Sequence, residues 1–246
     1  MLKPVGNDFI KSYRVRNSLK ALERVRDAIG EEAYERFRAL LHYRLRGEDF
    51  DRSPVGVKVA LAFSGGSDST ASLKVLRWAG FDVVPVMARL PQMREPVLVR
   101  AQLEGAVIVD VPGYLDVIGA QVRKRAPICG RCHSMVMGAV KGYARERGIK
   151  IVASGDLLTF GSLSIYPEGD MVNLNFPAFL AMDKREAISL LGRKYSLGFG
   201  CPLWKAASRE ARVLKRFGIQ RVMRELNAGA IDGEIAKALI LDILKP

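Results

Sequence analysis

The clearest pattern of hydrophobic and polar positions in the chain runs from Val57 to Gly80. It opens with a nearly unbroken apolar run, VKVALAF, which is typical of a central strand that is buried on both faces. The run stops at the small residues SGGS, and apolar positions with helical spacing follow from Asp68 onward. This part of the chain therefore predicts a strand, a tight glycine turn and a helix.

The same alternation continues downstream and predicts an α/β fold. Further strands are predicted at residues 81–87, 106–110, 149–153 and 173–176, with helices at 97–104, 114–124, 134–147 and 184–191, the last capped by Asp183. Strands that alternate with helices form parallel sheets, so we expect a five-stranded parallel sheet with helices on both faces. We assign this domain to residues 57–205, including a glycine-rich loop at 195–204.

Helical segments are predicted on both sides of that domain. Within residues 1–56, one helix is predicted to start after a cap at Asn17 and to end at Gly30, and a second to end near Gly47. Residues 206–246 are predicted to form two or three short helices that carry several arginines. The N-terminal segment has two interpretations: a helical pair packed on the main domain with a solvated charged face, or a surface that contacts RNA.

The charge of the chain indicates a polyanionic partner. Its 246 residues include 39 Lys and Arg against 26 Asp and Glu, a net charge of +13, which favours nucleic acid as the partner. No apolar run reaches the roughly 18 residues of a membrane span, and the N-terminus lacks the apolar core of a signal peptide. We therefore expect a cytoplasmic protein without membrane contacts, whose three cysteines bind metal or react rather than form disulfides.

The turn after the first strand has the composition of an anion-binding loop. Glycines allow a tight backbone, and serine hydroxyls and free N–H groups at a helix N-terminus attract phosphate. The lysine of a Walker A loop is missing, and so is the dinucleotide pattern G-x-G-x-x-G. Residues 64–69, SGGSDS, closely resemble the S-G-G-x-D-S pyrophosphate loop (PP-loop) of the N-type ATP pyrophosphatases. The alternative is an ordinary strand–turn–helix built from small residues.

Members of that superfamily split ATP between the α- and β-phosphates and usually adenylate a substrate. The resemblance implies an adenine nucleotide α-hydrolase-like fold in which the loop holds the pyrophosphate through Ser64, Gly65, Gly66, Ser67 and Ser69. Asp68 would repel phosphate, so its expected role is to hold Mg²⁺; the alternative is a carboxylate that only stabilises the start of the helix.

Two further sets of residues follow from this resemblance. Ala62, Phe63 and Met87 are implied as adenine contacts. Gly155 and Asp156, after the fourth strand, resemble the second nucleotide motif, although relatives often have a basic or amide residue where Asp156 stands. Residues 151–182 contain no Lys or Arg and are expected to line the pocket, and the acids Asp156, Glu168 and Asp170 there are either metal ligands or loop residues. The basic run at 123–125 is either a solvated helix end or a phosphate clamp.

The cysteines allow several interpretations. Cys129 and Cys132 form a C-x-x-C pair, and Cys201 is the third cysteine. A thioredoxin-like pair would follow the first strand, and c-type haem attachment to the CGRCH string normally occurs outside the cytoplasm. Zinc could use the three thiolates with His133, and buried thiols can also serve packing alone. A [4Fe–4S] cluster suits the three thiolates, because it would keep one iron open for sulfide or substrate.

The whole pattern resembles the cluster-dependent tRNA 2-thiolation enzymes, which make 2-thiouridine or 2-thiocytidine. In these enzymes the phosphate loop precedes a C-x-x-C at the start of a helix after the third strand, and a third Cys follows well after the fourth strand. The resemblance covers about residues 57–205 and implies Asp68, Cys129, Cys132 and Cys201 as the catalytic residues. Some close relatives also carry terminal zinc ribbons, for which this chain has no cysteines.

The resemblance implies a cytoplasmic transferase of tRNA processing, with ATP, Mg²⁺ and a [4Fe–4S] cluster as cofactors. A base carbonyl oxygen would attack the α-phosphate, and sulfide would then displace AMP. The implied partners are tRNA and either a sulfur donor protein or free sulfide, and relatives often form homodimers. Two alternatives remain open: an adenylating ligase or amidase of a small molecule with a cysteine-bound zinc, and a non-catalytic module that binds ATP or RNA.

Overall fold

A computed structural model describes residues 2–192 and 197–245, and a six-stranded sheet forms its centre. The strands are β1 (Lys58–Ala62), β2 (Asp82–Arg89), β3 (Val107–Asp110), β4 (Ile151–Ser154), β5 (Ile165–Glu168) and β6 (Met171–Asn175). Their order across the sheet is β3-β2-β1-β4-β6-β5, and all neighbours pair in parallel except β5 and β6. The chain therefore has the predicted α/β fold. Residues 195–196 of the predicted glycine-rich loop lie outside the described part.

The predicted number of strands is wrong by one. The five predicted strands are present and parallel, but the antiparallel edge strand β5 was not predicted. Pro167 lies within it, and a proline ordinarily argues against a strand because it cannot donate a ladder hydrogen bond. An edge strand tolerates this loss, and Gly169, with φ +63°, makes the tight turn into β6.

Twelve helices surround the sheet within the described residues. They are α1 (Phe9–Glu23), α2 (Arg26–Ile29), α3 (Glu31–Arg46), α4 (Ser67–Trp78), α5 (Glu95–Leu103), α6 (Tyr114–Arg123), α7 (Cys129–Glu146), α8 (Phe176–Phe179), α9 (Lys184–Ser189), α10 (Pro202–Glu210), α11 (Val213–Asn227) and α12 (Gly233–Leu244). In the described ranges, none is long and apolar enough to cross a bilayer.

Alternate residues of β1 show how the two faces of the sheet are covered. Val59 and Leu61 belong to the larger core, which also holds apolar residues of α1, α3 and α4. Ala60, between them, faces the opposite side and packs with Val140 and Ala144 of α7. Because both faces of the strand are buried, its sequence lacks the alternation of a half-exposed strand.

The N-terminal segment packs on the main domain, as the first of its two interpretations expected. The ring of Phe37 on α3 stacks on Phe81 at a centroid distance of 4.3 Å. Arg44, whose side chain is fully buried, donates to the carbonyl of Leu180 at 2.9 Å and to the Glu186 carboxylate at 2.8 Å. Buried arginines require such partners, so these contacts fix α3 against the start of α9.

The predicted start of the first helix is wrong. Asp8, not Asn17, caps α1, and its carboxylate accepts the Lys11 N–H at 2.9 Å. The first turns of α1 expose Phe9, Ile10 and Tyr13, so no inward apolar stripe marks them in the sequence. The first helix is predicted to continue unbroken to Gly30, but the structure divides it into α1, which ends at Glu23, and α2, which ends at Ile29 with Gly30 as its C-cap. The predicted end of the second helix is confirmed, since α3 ends at Arg46 with the left-handed Gly47 as its C-cap.

Candidate active site

A cavity of about 600 Å³ opens at the carboxyl ends of β1 and β4. This is the edge where open parallel sheets bind ligands, and the volume is typical of small-molecule sites. Most of the residues predicted for nucleotide and metal line it: Ala62, Phe63, Ser64, Gly66, Asp68, Ser69, Gly155, Asp156, Cys129, Cys132 and Cys201. His133 lines it as well. The fold thus brings two sets of residues, distant in sequence, to one cavity.

Hydrogen bonds among its serines stabilise the predicted phosphate loop, residues 64–69, between β1 and α4. The Ser64 N–H donates to the Ser69 hydroxyl oxygen at 3.2 Å, and the two hydroxyls lie 3.1 Å apart. Gly65 has φ +70°, a conformation that favours glycine, and Gly66 is the N-cap residue of α4. The loop therefore points the N-terminus of a twelve-residue helix at the cavity, where its dipole favours an anion.

Met87 does not line the cavity, unlike the other predicted adenine contacts. Its side chain is fully buried, and its methyl carbon would lie 3.9 Å from a Cβ built on Gly65, so it packs beneath the loop. Neighbouring strand residues point to opposite faces, and Ala88 is the β2 residue at the cavity. The residue of β2 that lines the cavity is therefore Ala88, the neighbour of the predicted Met87.

Gly155 allows the end of β4 to lie directly against the start of α4. A Cβ on this residue would lie 3.0 Å from the backbone nitrogen of Ser69 and 3.3 Å from the carbonyl carbon of Asp68. Backbone atoms cannot rotate away as a side chain can. A side chain at Gly155 would therefore displace the phosphate loop itself.

We expect Gly155→Ala to lower the free energy of unfolding by about 1–3 kcal/mol, because it overpacks a rigid contact. Gly138→Ala, within α7, is the matched control, since a Cβ there meets no atom within 4 Å. That change should be neutral or stabilise by up to about 1 kcal/mol. Denaturant unfolding of both variants tests the prediction, and equal stabilities would contradict the close approach.

Lys184 is a site residue that the sequence analysis did not select. Its Nζ lies 2.6 and 2.8 Å from the two carboxylate oxygens of Asp68 and 3.1 Å from the Ser67 hydroxyl oxygen. It is the first residue of α9, where a capping box between Asp183 and Glu186 fixes the helix start. One signal was available: Lys184 is the first basic residue after the stretch 151–182, which has none.

The cysteines approach the cavity from two helices. Cys129 and Cys132 lie in the first turns of α7, which starts five residues earlier than predicted, and both are half-buried. Cys201 is exposed and is the N-cap residue of α10, where its sulfur accepts the Trp204 N–H at 3.5 Å. The Tyr114 hydroxyl donates to the Cys132 sulfur at 3.1 Å.

Burial raises the pKa of both α7 cysteines. For Cys129, the nearby Arg221 guanidinium partly offsets this rise in pKa. For Cys132, the hydrogen bond from Tyr114 partly offsets it. Both thiols therefore stay protonated at neutral pH in the metal-free protein, and a metal centre would have to stabilise their thiolates.

The greater exposure of Cys201, compared with Cys129 and Cys132, predicts an order of alkylation in the metal-free protein. Iodoacetamide at neutral pH should modify the exposed Cys201 first, and Cys129 and Cys132 later, because the thiolate is the reactive form. The rates at the two half-buried thiols should rise as the pH rises toward their raised pKa values. Tyr114→Phe should slow Cys132 further and leave Cys129 unchanged. Mass spectrometry of the labelled peptides measures the order, and earliest labelling at Cys132 would contradict it.

The remaining predicted metal ligands are paired elsewhere. Glu168 accepts from Lys141 at 2.7 Å, and Asp170 pairs with Arg145 at 3.3 Å. Neither lines the cavity, and neither does the basic run at 123–125. Across residues 2–192 and 197–245, no group of three or more His, Cys, Asp or Glu side chains is arranged to hold a metal ion. Among these acids, only Asp156 remains at the site.

Comparison with known proteins places the chain in a family. No protein-family model matches it. A protein of Methanocaldococcus jannaschii, named Uncharacterized protein MJ1638, is 33% identical over 253 residues, which cover 97% of this chain and 95% of the relative. The chain belongs to the family of this archaeal protein. The coverage extends over the helical ends of the chain as well as the sheet.

Proposed function

We propose that this protein is an ATP-dependent sulfur transferase that adenylates a carbonyl oxygen of a tRNA base and replaces that oxygen with sulfur. The observation that carries the proposal is a single cavity that joins an anion-binding loop to three cysteine thiols. An anion loop alone would support many nucleotide-binding functions. Thiols beside it favour a reaction in which the activated substrate meets sulfur next to the nucleotide.

The loop and its two charged neighbours would bind the nucleotide. Backbone N–H groups and serine hydroxyls would hold the pyrophosphate at the start of α4. Asp68 would hold Mg²⁺, which neutralises charge on the phosphates. In the structure the ammonium group of Lys184 pairs with the Asp68 carboxylate. With Mg²⁺ on Asp68, the ammonium group of Lys184 would be released toward the phosphates, so one residue stabilises the site both before and after nucleotide binds.

Three thiols at one cavity suit an iron–sulfur cluster, because its irons prefer soft thiolate ligands. The thiolates of a cluster bind different irons, so they can stand apart while lining one cavity. Cys129, Cys132 and Cys201 would hold the cluster, which when bound would supply an open iron for sulfide.

The reaction would proceed in two balanced steps. In the first, the base carbonyl oxygen attacks the α-phosphorus of ATP, an O–P bond forms, and pyrophosphate leaves with the electron pair of the broken bond. In the second, hydrosulfide attacks the ring carbon that carries the adenylated oxygen. The C–O bond breaks, AMP leaves, and loss of the sulfur proton gives the C=S group. The protein's contribution is to position the reactants and to stabilise the charge that develops on the phosphates.

The charge near the cavity supports a polyanionic acceptor. Arg221 and Arg224 of α11 both line the cavity beside the cysteines. The net charge of +13 and the basic residues elsewhere on α10 and α11 would attract RNA to this face. A small-molecule acceptor would not require such a field.

Anaerobic purification followed by two assays tests the proposal. We expect about four irons per chain with broad visible absorbance, and tRNA-dependent release of pyrophosphate from ATP. One zinc per chain and no iron would favour the small-molecule ligase. Tight ATP binding without any pyrophosphate release, with or without tRNA, would favour the non-catalytic module.

A further inference from the structure

A second cavity, of about 710 Å³, shares a wall with the first. Six residues line both: Ile128, Cys129, Gly130, Trp204, Arg221 and Arg224. The new cavity extends from this wall between the start of α7 and the helices α10 and α11. A ligand bound in it would therefore reach the cysteine side of the proposed ATP site.

The inner part of this second cavity is aromatic. Phe199 and Trp204 meet edge to face at a centroid distance of 4.7 Å, and Phe217 of α11 lines the cavity with them. Gly218 allows α11 to lie against this pair, since a Cβ there would be 2.8 Å from Trp204 and 3.0 Å from Phe199. Phe199 and Trp204 are almost fully buried, at 6% and 4% exposure, so the ring that can stack on a flat ligand is that of the half-buried Phe217.

The polar groups of the cavity lie on α11. The Arg221 Nε donates to the Glu225 carboxylate at 2.8 Å, which orients the guanidinium at the shared wall. Arg224 makes no side-chain hydrogen bond or ion pair within the described residues, so its charge is available to a ligand. Gln220 adds an amide that can donate to or accept from the edge of a base.

We propose that the second cavity binds the acceptor nucleobase of a single-stranded RNA segment, with the adjacent phosphate on Arg224. The inference rests on the proposed function, and it names where the acceptor binds. The base must be splayed out of any stack to lie against the ring of Phe217, as single-stranded RNA permits. The shared wall directs the base edge toward the cysteines, while ATP occupies the first cavity.

Charge beyond the cavity favours a polynucleotide over a free nucleotide. Arg209 lies on α10, Lys215 and Arg216 lie on α11, and Arg212 lies between the two helices, all outside both cavities. A mononucleotide would use only the cavity itself, whereas a strand that enters it would also run along these residues. Binding should therefore combine stacking in the cavity with a salt-dependent electrostatic contribution along the helix.

Fluorescence anisotropy with a short, labelled, single-stranded RNA of mixed sequence tests the inference. The protein is the full chain, purified anaerobically, and no ATP is present, so binding is measured without any reaction. Phe217→Ala should weaken binding by about five- to 150-fold, which is the range for loss of one base–aromatic stack. Phe217→Leu, which keeps an apolar side chain but no ring, should weaken binding similarly and guards against a folding defect.

A pair of arginine variants separates a specific phosphate contact from general charge. Arg224→Gln should lower the slope of log affinity against log salt by about 0.7. Arg100→Gln removes the same charge from α5, outside both cavities and apart from the basic residues of α10 and α11, and should change the slope much less. Equal effects of the two arginine variants, or an unchanged affinity in both Phe217 variants, would overturn the inference. The inference would also be overturned if duplex RNA or free uridine monophosphate competed for binding as effectively as the single strand does.

The outcome for this cavity can be told apart from the outcome for the proposed function. RNA binding that depends on Phe217 and Arg224, without pyrophosphate release, would support the cavity and contradict the sulfur transferase. Full thiolation by both Phe217 variants would support the sulfur transferase and contradict the binding of the base in this cavity.

Discussion

Asparagine in place of Asp68 is expected to lower the rate of ATP-dependent pyrophosphate release by about 100-fold or more. A neutral amide holds Mg²⁺ poorly, and loss of the ion removes several kcal/mol of charge stabilisation from the transition state. The change is nearly isosteric, so the loop should keep its shape. It also leaves Lys184 without its carboxylate partner. Since both side chains are partly exposed, at 25% for Asp68 and 17% for Lys184, we expect a stability loss of only about 1 kcal/mol.

Asp82→Asn is the matched control for this experiment. Asp82 is exposed and begins β2, so it lies at the opposite end of the strand from the cavity. Its variant should release pyrophosphate at the wild-type rate. Rates are measured for both variants across a range of Mg²⁺ concentrations, because a lost ligand should raise the Mg²⁺ concentration that is required. A wild-type rate in Asp68→Asn would remove this residue from the reaction.

Serine in place of Cys201 should abolish most of the iron content and all of the thiolation activity. The substitution separates two roles of this residue. A hydroxyl oxygen caps helices well, so the serine side chain would still accept the Trp204 N–H and α10 would stay folded. A neutral hydroxyl, in contrast, is a poor ligand for iron compared with a soft thiolate. Loss of iron without loss of stability would therefore assign Cys201 to the metal centre.

Cys201→Ala provides the complementary variant, because it removes the cap as well and should cost about 1 kcal/mol of stability. Iron per chain, thermal unfolding and ATP affinity are measured for both variants after anaerobic purification. ATP affinity should survive in both, since the phosphate loop belongs to a different helix. Unchanged iron in Cys201→Ser would contradict the three-cysteine centre and leave at most a two-cysteine site.

The parts of this fold that were predictable are those encoded locally. The apolar run of β1, the glycine turn and the spacing of α4 are contiguous, so the strand–loop–helix unit at residues 57–80 could be read directly. The capping box that begins α9 is also local, and the prediction of Asp183 as its cap is confirmed. β5 could not be predicted because it contains Pro167. A proline is tolerated in a strand only at a sheet edge, and the sequence does not show which strand lies at an edge.

The parts that escaped prediction depend on tertiary contacts. The ion pair between Asp68 and Lys184 joins residues 116 positions apart, and no local sequence pattern predicts it. Whether Met87 or Ala88 faces the cavity depends on the register of β2 to a single residue. The second cavity is formed by α7 together with α10 and α11. The sequence shows arginines in the C-terminal helices, but only the fold shows that two of them lie at the same cavity as Cys129.

Sulfur incorporation into RNA tests the central proposal most directly. Anaerobically purified protein is incubated with ATP, Mg²⁺, sulfide and tRNA that lacks thiolation, and the RNA is digested to nucleosides for mass spectrometry. The proposal predicts a thionucleoside whose amount matches the pyrophosphate released, and none when ATP is omitted. Pyrophosphate release from ATP without any sulfur in the RNA would contradict it.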